Sequence, residues 1–430
     1  MHYHGAKGIS GEVSMSAHVA TIAGLVIMFA VATMLPINMG AIALAAAFIV
    51  GTVFVDMPAA AILAGFPGDL FVTLVGITYL FAMAQKNGTV DLLVHFGVKA
   101  TGGRIGVIPW VMFAVSALLT AIGALSPGAV AIIAPIALRF AVQHGINPML
   151  MGLMVIYGAQ AGAFSPISVF GGITNQVVAR ADIAGNQTVM FLASLGFNAA
   201  IAVVVSYVFR KPGPLASAAA AREASALAAD AGRFTPERLL TLIALAGLGV
   251  GALAFNLNVG FVAMTAAVAL AICFPKAQQG TVEKAAWSTV LLICGVITYV
   301  GVLQKAGTVD WIGEAASQLG QPLLAVLLLC YVAGVVSSFA SSTGVLGATI
   351  PLAVPLLAQG ELSAVGVVAA IAVSTTIVDA SPFSTNGALV LANIEAENRE
   401  RFLKTLLLYA AVVTTVGPGL TWLAFVVTGI

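Results

Sequence analysis

The sequence Asp379-Ala380-Ser381-Pro382-Phe383-Ser384-Thr385-Asn386-Gly387 interrupts a long apolar segment near the C-terminus. A related sequence, Gly162-Ala163-Phe164-Ser165-Pro166-Ile167-Ser168, interrupts a similar segment 216 residues earlier (381 − 165 = 216). Because proline and glycine interrupt helices, each segment is predicted to form two half-helices joined by an unwound loop. Unwound backbone at membrane depth is tolerated only where it is buried in protein or lines a cavity. The two interruptions are therefore predicted to lie at the centre of the fold.

The composition is that of a membrane protein. Of the 430 residues, 60% are hydrophobic and only 8% are charged, whereas a soluble domain carries roughly a quarter charged residues. The net charge of +1 gives no electrostatic basis for a nucleic-acid partner. The three cysteines, Cys273, Cys294 and Cys330, lie in apolar runs and are predicted to be packing residues rather than disulfide partners.

Apolar segments near the bilayer-crossing length of about 20 residues recur along the chain. Spans are predicted at residues 19–35, 39–55, 70–85, 148–180, 188–210, 237–255, 257–274, 285–303, 363–394 and 402–429. Two further apolar stretches, 105–143 and 321–359, are broken near their centres at Ala124-Leu125-Ser126-Pro127-Gly128 and Ser341-Ser342-Thr343-Gly344. Each is predicted to be a re-entrant hairpin whose tip lies inside the membrane.

The chain divides into two similar halves, 1–210 and 237–430, joined by a polar linker at 211–236. The sequence Ile77-Thr78-Tyr79 recurs as Ile297-Thr298-Tyr299, and Ser126, Gly128 and Pro135 recur as Ser342, Gly344 and Pro351. Each half contains five predicted spans and one hairpin, and an odd number of spans inverts the second half relative to the first. This all-α plan of two inverted repeats is typical of secondary transporters.

The distribution of positive charge predicts the orientation of the chain. With both termini outside and the linker inside, only Lys7, Arg180 and Lys305 lie outside, and the other fourteen of the 17 lysines and arginines lie in the cytoplasm. Such a bias satisfies the positive-inside rule. The two hairpins then enter the membrane from opposite faces, so their tips are predicted to meet near its middle.

The two tips and two interruptions carry the residue types that an ion site inside a membrane requires. Helix N-termini there attract anions, exposed carbonyl groups suit Na⁺, and hydroxyl groups serve either ligand. The alternative for any single serine is a hydrogen bond to its own backbone or to a neighbouring helix. The candidate substrate-binding residues are Ser126, Pro127, Gly128, Ser165, Pro166, Ser168, Ser342, Thr343, Ser381, Pro382, Ser384, Thr385 and Asn386.

Asp379 is the acidic residue placed deepest in an apolar segment. A charged side chain at the centre of a membrane helix costs on the order of 2.5–3.5 kcal/mol on insertion scales, so such residues usually face a cavity. Asp379 is predicted to bind a cation, to carry a proton, or to cap the half-helix that follows it. The equivalent position of the first half is Ala163, so any such role exists once. Gln160 is predicted to bond to a neighbouring helix or to line the cavity.

No nucleotide or enzyme motif is present in the sequence. Gly171-Gly172 and Thr101-Gly102-Gly103 lack the spacing and the lysine of a phosphate-binding loop. The protein is therefore predicted not to be an enzyme and to have no organic cofactor.

Several segments resemble the MatC-type malonate and dicarboxylate carriers, relatives of the divalent anion/sodium symporters within the ion transporter superfamily. The resemblance is carried by residues 34–40 (MLPINMG), 64–70 (AGFPGDL), 158–168 (GAQAGAFSPIS) and 171–175 (GGITN). It implies a symporter of the bacterial inner membrane that imports a short dicarboxylate, malonate first and C4 acids second, with a cation. It also implies a homodimer in which the hairpins and interrupted spans slide past a scaffold of early spans, an elevator mechanism.

The symporters carry a Ser-Asn-Thr signature at each hairpin tip. The matching positions here are Leu125-Ser126-Pro127 and Ser341-Ser342-Thr343, so both asparagines are missing. The resemblance implies a first cation between the first tip and the first interruption, and a second between the second tip and Ala380. Together with Asp379, the candidate cation-binding residues are Ser126, Ala163, Ser165, Ser337, Ser341, Ser342, Asp379 and Ala380.

Three alternatives remain open at the level of sequence. The same fold could carry a monocarboxylate or an inorganic anion, and the shortened signature at the first tip favours this. A proton could replace Na⁺ as the coupling ion. A channel or a non-transporting membrane scaffold is a third possibility, although a channel needs a pore lined along its whole length.

Overall fold

The computed structural model describes residues 9–99, 104–180, 185–211, 234–255, 257–309, 311–312, 321–339, 341–357, 360, 362–394 and 396–429. Most of the predicted linker, 212–233, lies outside this set. Every regular element in the described part is helical. The prediction of an all-α protein is confirmed.

The described part of the first half contains ten α-helices. They are α1 (Ile9–Met34), α2 (Met39–Phe54), α3 (Ala59–Ala64), α4 (Gly68–Lys86), α5 (Thr89–Lys99), α6 (Ile108–Ala121), α7 (Ser126–His144), α8 (Pro148–Gly162), α9 (Val169–Arg180) and α10 (Gln187–Val208). The predicted hairpin corresponds to α6 and α7, and the predicted interrupted span corresponds to α8 and α9. The short helix α3 and the helix α5 were not predicted, because neither is a long apolar segment.

The described part of the second half contains nine further helices. They are α11 (Pro236–Leu253), α12 (Val259–Cys273), α13 (Pro275–Gln278), α14 (Trp287–Lys305), α15 (Pro322–Ser337), α16 (Ser342–Leu357), α17 (Ala364–Ile377), α18 (Thr385–Ala392) and α19 (Ala396–Thr421). A short 3₁₀ turn, Val378–Ala380, follows α17, and α19 continues as a π-helical turn over Trp422–Val427. The hairpin is α15 with α16, and the interrupted span is α17 with α18.

Asparagine and serine caps determine where several helices begin. Asn38 and Asn258 accept hydrogen bonds from backbone N–H groups at the starts of α2 and α12. Asn147 and Ser363, which are 216 residues apart, cap α8 and α17 in the same way. A side-chain cap supplies a hydrogen-bond acceptor that the N–H groups of the first turn lack. These polar residues therefore mark the helix starts in an otherwise apolar sequence.

The surface of the molecule is suited to lipid. Seven helical segments of the described residues are long and apolar enough to cross a membrane: Met15–Ala32, Gly68–Lys86, Ser126–His144, Gln187–Val208, Trp287–Lys305, Ala364–Ala392 and Asn398–Val427. Large apolar side chains on the outer helices, such as Val204 on α10 and Phe261 on α12, are exposed. The protein is thus a multi-pass membrane protein. Helix α7, the second arm of the predicted first hairpin, is one of these seven segments.

The halves interlock through glycines on α2, α4, α12 and α14. A Cβ atom on Gly40 of α2 would lie 2.0 Å from the carbonyl oxygen of Leu291 on α14, and one on Gly295 would lie 2.1 Å from that of Gly40. A Cβ on Gly76 of α4 would similarly lie 2.5 Å from the carbonyl oxygen of Gly260 on α12. Small residues let helix backbones approach closely in membranes. Helix α2 of the first half therefore packs against α14 of the second half, and α12 of the second half packs against α4 of the first.

The hairpins also pack across the two halves. Helices α6 and α7 pack against α8, and α15 and α16 pack against α17, so each hairpin rests on the interrupted span of its own half. In addition, α7 packs against α18 and α16 packs against α9. The second arm of each hairpin therefore contacts the half-helix that follows the interruption in the other half. This exchange brings both tips and both interruptions together.

We expect Gly40→Ala to lower the thermal stability of the purified protein. The new methyl group would meet the backbone of α14, and overpacking of this kind costs about 1–3 kcal/mol. Gly196→Ala is the matched control, because Gly196 lies inside α10 and a Cβ there meets no atom within 4 Å. An equal melting temperature for Gly40→Ala and wild type would contradict the close approach of α2 and α14.

Candidate functional site: a polar cluster between the tips and interruptions

The two interruptions share one backbone arrangement. The Ser168 hydroxyl donates to the carbonyl oxygens of Ala163 and Ser165, the latter at 2.7 Å. At the equivalent position, the Ser384 hydroxyl donates to the carbonyl oxygens of Asp379 and Ser381 at 2.6 and 2.7 Å. These two hydroxyl groups thus satisfy carbonyl oxygens that the broken helices leave without a helical partner. For these two serines, the structure shows the alternative given above, a hydrogen bond to the local backbone.

A glycine is required three residues after each of these serines. A Cβ on Gly171 would lie 1.9 Å from the carbonyl oxygen of Ser165, and a Cβ on Gly387 would lie 2.0 Å from that of Ser381. Both distances are far below van der Waals contact. The loops therefore fold back onto the first turns of α9 and α18 at a separation that only glycine allows.

Asp379 lies at the centre of the site. Its Oδ1 accepts a hydrogen bond from the Ser342 hydroxyl at 2.5 Å, and its Oδ2 accepts one from Gln160 Nε2 at 2.5 Å. Asn386 Nδ2 lies 3.5 Å from the same Oδ2. All four side chains are buried, with at most 7% of any of them exposed. Helix α8, the second tip and the start of α18 thus converge on one carboxylate.

The first hairpin tip joins the same cluster. Asn386 Nδ2 donates to the Ser126 hydroxyl oxygen at 2.9 Å, and Ser126 is the first residue of α7. On the other side, the hydroxyl groups of Ser337 and Ser342 are 2.7 Å apart, which ties the two arms of the second hairpin together. A continuous series of polar contacts therefore runs from Ser126 through Asn386 and Asp379 to Ser342. The structure brings together the two tips that the repeat pattern predicts to meet.

The carboxyl group of Asp379 has no basic partner within the described residues. Its polar contacts there are with Ser342, Gln160 and Asn386, which are all neutral. Among the described residues, Lys404 and Glu400 form an ion pair on the exposed face of α19. A buried carboxylate without a charged partner is costly in a membrane interior. The cluster is consequently a place where a mobile positive charge would be stabilised.

Two amide oxygens of the cluster have no hydrogen-bond donor among the described residues. These are Gln160 Oε1 and Asn386 Oδ1, and both atoms are buried. A buried polar atom without a partner usually indicates a ligand, a water molecule or a functional constraint. The sequence predicts that Gln160 bonds to a neighbouring helix or lines the cavity. Its contact with Asp379 could not be predicted, because it joins the two halves.

The other predicted site residues lie within the tips and the interruptions, and two of them make local hydrogen bonds there. The hydroxyl oxygens of Ser165 and Ser381 accept hydrogen bonds from the backbone N–H groups of Ile167 and Phe383 at 3.4 and 3.2 Å. The remaining buried members are Ala163, Thr343, Ala380 and Pro382; Pro127, Pro166 and Ser341 are half-buried; Gly128 and Thr385 are exposed.

Further polar and aromatic contacts adjoin the cluster, and the sequence did not single them out. The Ser194 hydroxyl on α10 donates to the carbonyl oxygen of Gln160 at 3.2 Å. Exposed Phe339 and Phe383, next to the second tip and within the second interruption, stack with ring centroids 5.8 Å apart. The stacking partners are contributed by two different interrupted elements, so sequence proximity gives no signal for them.

The fold and the site define a class: multi-pass helical membrane proteins with hairpins and interrupted helices that meet around a buried polar cluster. Residues 15–163 match the family described as the dicarboxylate carrier protein MatC N-terminus. The resemblance to MatC-type dicarboxylate carriers that is seen in the sequence is therefore confirmed over this segment. No curated protein matches the chain.

We expect Gly171→Ala to destabilise the protein strongly while Gly172→Ala is tolerated. A methyl group at position 171 would overlap the carbonyl oxygen of Ser165, whereas one at position 172 would make ordinary contacts at 3.9–4.0 Å. Thermal melting of the two purified variants, beside wild type, checks this difference. Equal melting temperatures for the two variants would show that the first interruption does not fold back as described.

Proposed function

We propose that the protein is a secondary active transporter that imports a short dicarboxylate together with a cation. The observation that carries this proposal is the meeting of both tips and the second interruption at Asp379 and Asn386. A match to a dicarboxylate carrier family over residues 15–163 supports the substrate class. Within that class, malonate is the first candidate and C4 dicarboxylates are the second.

Neutral groups would bind the substrate carboxylates. Helices α7, α16 and α18 begin at Ser126, Ser342 and Thr385, so three helix N-termini are directed to one region. Free backbone N–H groups and the positive end of the helix dipole stabilise a carboxylate there. Neutral donors also permit release, because each contributes less than a lysine or arginine would. The residues proposed for this role are those predicted from the tips and interruptions.

The coupling cation is proposed to be Na⁺, with H⁺ as the alternative. In the second half, the oxygens of Ser337, Ser342 and Asp379 lie within one hydrogen-bonded series, and Ala380 follows directly. In the first half, the Ser126 hydroxyl accepts from Asn386, and the carbonyl oxygen of Ala163 accepts from the Ser168 hydroxyl. All of these groups are oxygen donors, which fit a hard monovalent cation.

The proposed transport step is an elevator movement of the hairpins and interrupted spans against the remaining helices. The contacts through Gly40, Gly76, Gly260 and Gly295 join α2, α4, α12 and α14 into one interlocked group, which would form the scaffold. The hairpins and interrupted spans form a second group that shares the polar cluster. We further propose inverted repeats, a homodimer in the bacterial inner membrane, external termini and a cytoplasmic linker.

We expect proteoliposomes containing the protein to accumulate radiolabelled malonate when an inward Na⁺ gradient is imposed. Dissipating that gradient with an ionophore that exchanges Na⁺ should abolish accumulation above the external concentration. Accumulation that does not depend on the Na⁺ gradient but follows an imposed proton gradient would favour H⁺ as the coupling ion. The matched control is protein-free liposomes prepared from the same lipid.

A competition panel distinguishes the substrate classes. Unlabelled malonate and succinate should compete with the labelled malonate, whereas acetate and sulfate should not. Competition by acetate or sulfate alone would favour the alternative of a monocarboxylate or inorganic anion carrier. Unitary currents in planar bilayers would instead indicate a channel.

We expect Ser342→Ala to reduce malonate uptake by about 10- to 100-fold. The serine supplies a hydrogen bond at the convergence point, and a hydrogen bond to a charged group contributes about 1.5–3 kcal/mol. Ser206→Ala is the matched control, since the Ser206 hydroxyl donates only to carbonyl oxygens of its own helix. Unchanged uptake by Ser342→Ala, at equal protein incorporation, would show that the substrate-binding site lies elsewhere.

A further inference from the structure

We propose that Asp379, Gln160 and Asn386 form a single central site for one monovalent cation, shared by the two halves. The carboxylate of Asp379 supplies the charge, and the amide oxygens of Gln160 and Asn386 supply two neutral ligands. This site shares Asp379 with the second of the two cation sites proposed above. It differs from both of them because its other ligands are Gln160 of the first half and Asn386 of α18. The inference rests on the proposed function only for the part the cation plays in coupling.

The amide oxygens provide the first argument. Gln160 Oε1 and Asn386 Oδ1 are buried without a donor among the described residues, while the nitrogens of the same amides face Asp379. Rotation of either amide by half a turn about its last torsion exchanges oxygen for nitrogen at nearly the same positions. With a cation beside the carboxylate, both oxygens would turn inward as ligands. The same two side chains thus suit both a bare carboxylate and a bound cation.

The charge of the cluster provides the second argument. A monovalent cation bound to one carboxylate gives a neutral group, whereas a divalent cation would leave one positive charge buried in the membrane. Since uncompensated charge at this depth is costly, the cluster selects for a single positive charge. The ligands are all oxygens, so a hard ion such as Na⁺ is favoured over soft transition metals.

The origin of the ligands provides the third argument. Gln160 lies on α8, Asp379 in the second interruption, and Asn386 on α18. Asn386 also bonds Ser126 at the first tip, and Asp379 also bonds Ser342 at the second tip. A cation held here would therefore stabilise the arrangement in which the first tip contacts Asn386 and the second tip contacts Asp379. Cation binding would in this way precede or accompany closure of the tips around the substrate.

The test is the effect of NaCl on the thermal unfolding of the purified, full-length protein in detergent. NaCl replaces choline chloride at constant ionic strength, so that only the cation changes. For wild type we expect a saturable rise in melting temperature on the order of 3 °C, because a ligand that binds only the folded state stabilises it. MgCl₂ and CaCl₂ at matched ionic strength should not reproduce this rise.

The variants assign the effect to the proposed ligands. Asp379→Asn should abolish the Na⁺-dependent rise, and Gln160→Met or Asn386→Leu should increase the Na⁺ concentration for half the rise by about tenfold or more. Asp56→Asn is the matched control, since Asp56 is exposed and its φ of 54° is a conformation that asparagine also accepts. Its response to NaCl should equal that of wild type.

Two results would overturn the central site. One is a wild-type melting temperature that does not respond to NaCl, and the other is a full response in Asp379→Asn. If Asp379→Asn does not fold, the amide variants decide, because both retain the carboxylate and an unchanged half-saturation in both contradicts the proposal. Malonate-induced stabilisation of wild type, measured separately, distinguishes the proposals. Absence of stabilisation by both malonate and succinate, alongside an Asp379-dependent Na⁺ response, would refute the dicarboxylate carrier but leave the cation site intact.

Discussion

The structure depends on how the backbone N–H and carbonyl groups of the two interruptions find hydrogen-bond partners inside an apolar environment. Where α8 and α17 stop, carbonyl and N–H groups lose their helical partners, and lipid cannot replace them. Ser168 and Ser384 supply these bonds from within each loop, and Gly171 and Gly387 allow the loops to close onto them. Once the loops are closed, the half-helices α9 and α18 begin at defined positions and can present their N-termini to the interior.

The packing of the halves follows from the same constraint, because the interruptions must be covered by protein. Each hairpin covers the interrupted span of its own half and reaches the half-helix of the other half. Neither half could bury its own interruption completely without the second arm contributed by the other. The polar cluster is thus formed only when both halves are folded, and the close glycine contacts of α2 with α14 and of α4 with α12 hold them together.

Much of this arrangement could be predicted from the sequence, since it is encoded locally. Proline, glycine and serine within apolar segments mark the interruptions and tips, and the constant offset of 216 residues pairs them. The helices α3 and α5 were missed because they are short or of mixed polarity. The contacts of Asp379 with Gln160, and of Ser126 with Asn386, join residues 219 and 260 positions apart. Such partners depend on how the halves dock, and a single sequence contains no local signal for that.

The residues of the cluster do not recur at the equivalent positions of the first half, and electrostatics explains why. The positions equivalent to Gln160, Asp379 and Asn386 are Thr376, Ala163 and Phe170, none of which carries a carboxylate or an amide. Ala163 lies within one turn of Gln160, whose side chain already contacts Asp379. A second aspartate at position 163 would place two buried carboxylates close together, and like charges in a low-dielectric site cannot both remain ionised. A repeated backbone can therefore supply two equivalent interruptions, but only one of them can carry the charged group that attracts a cation.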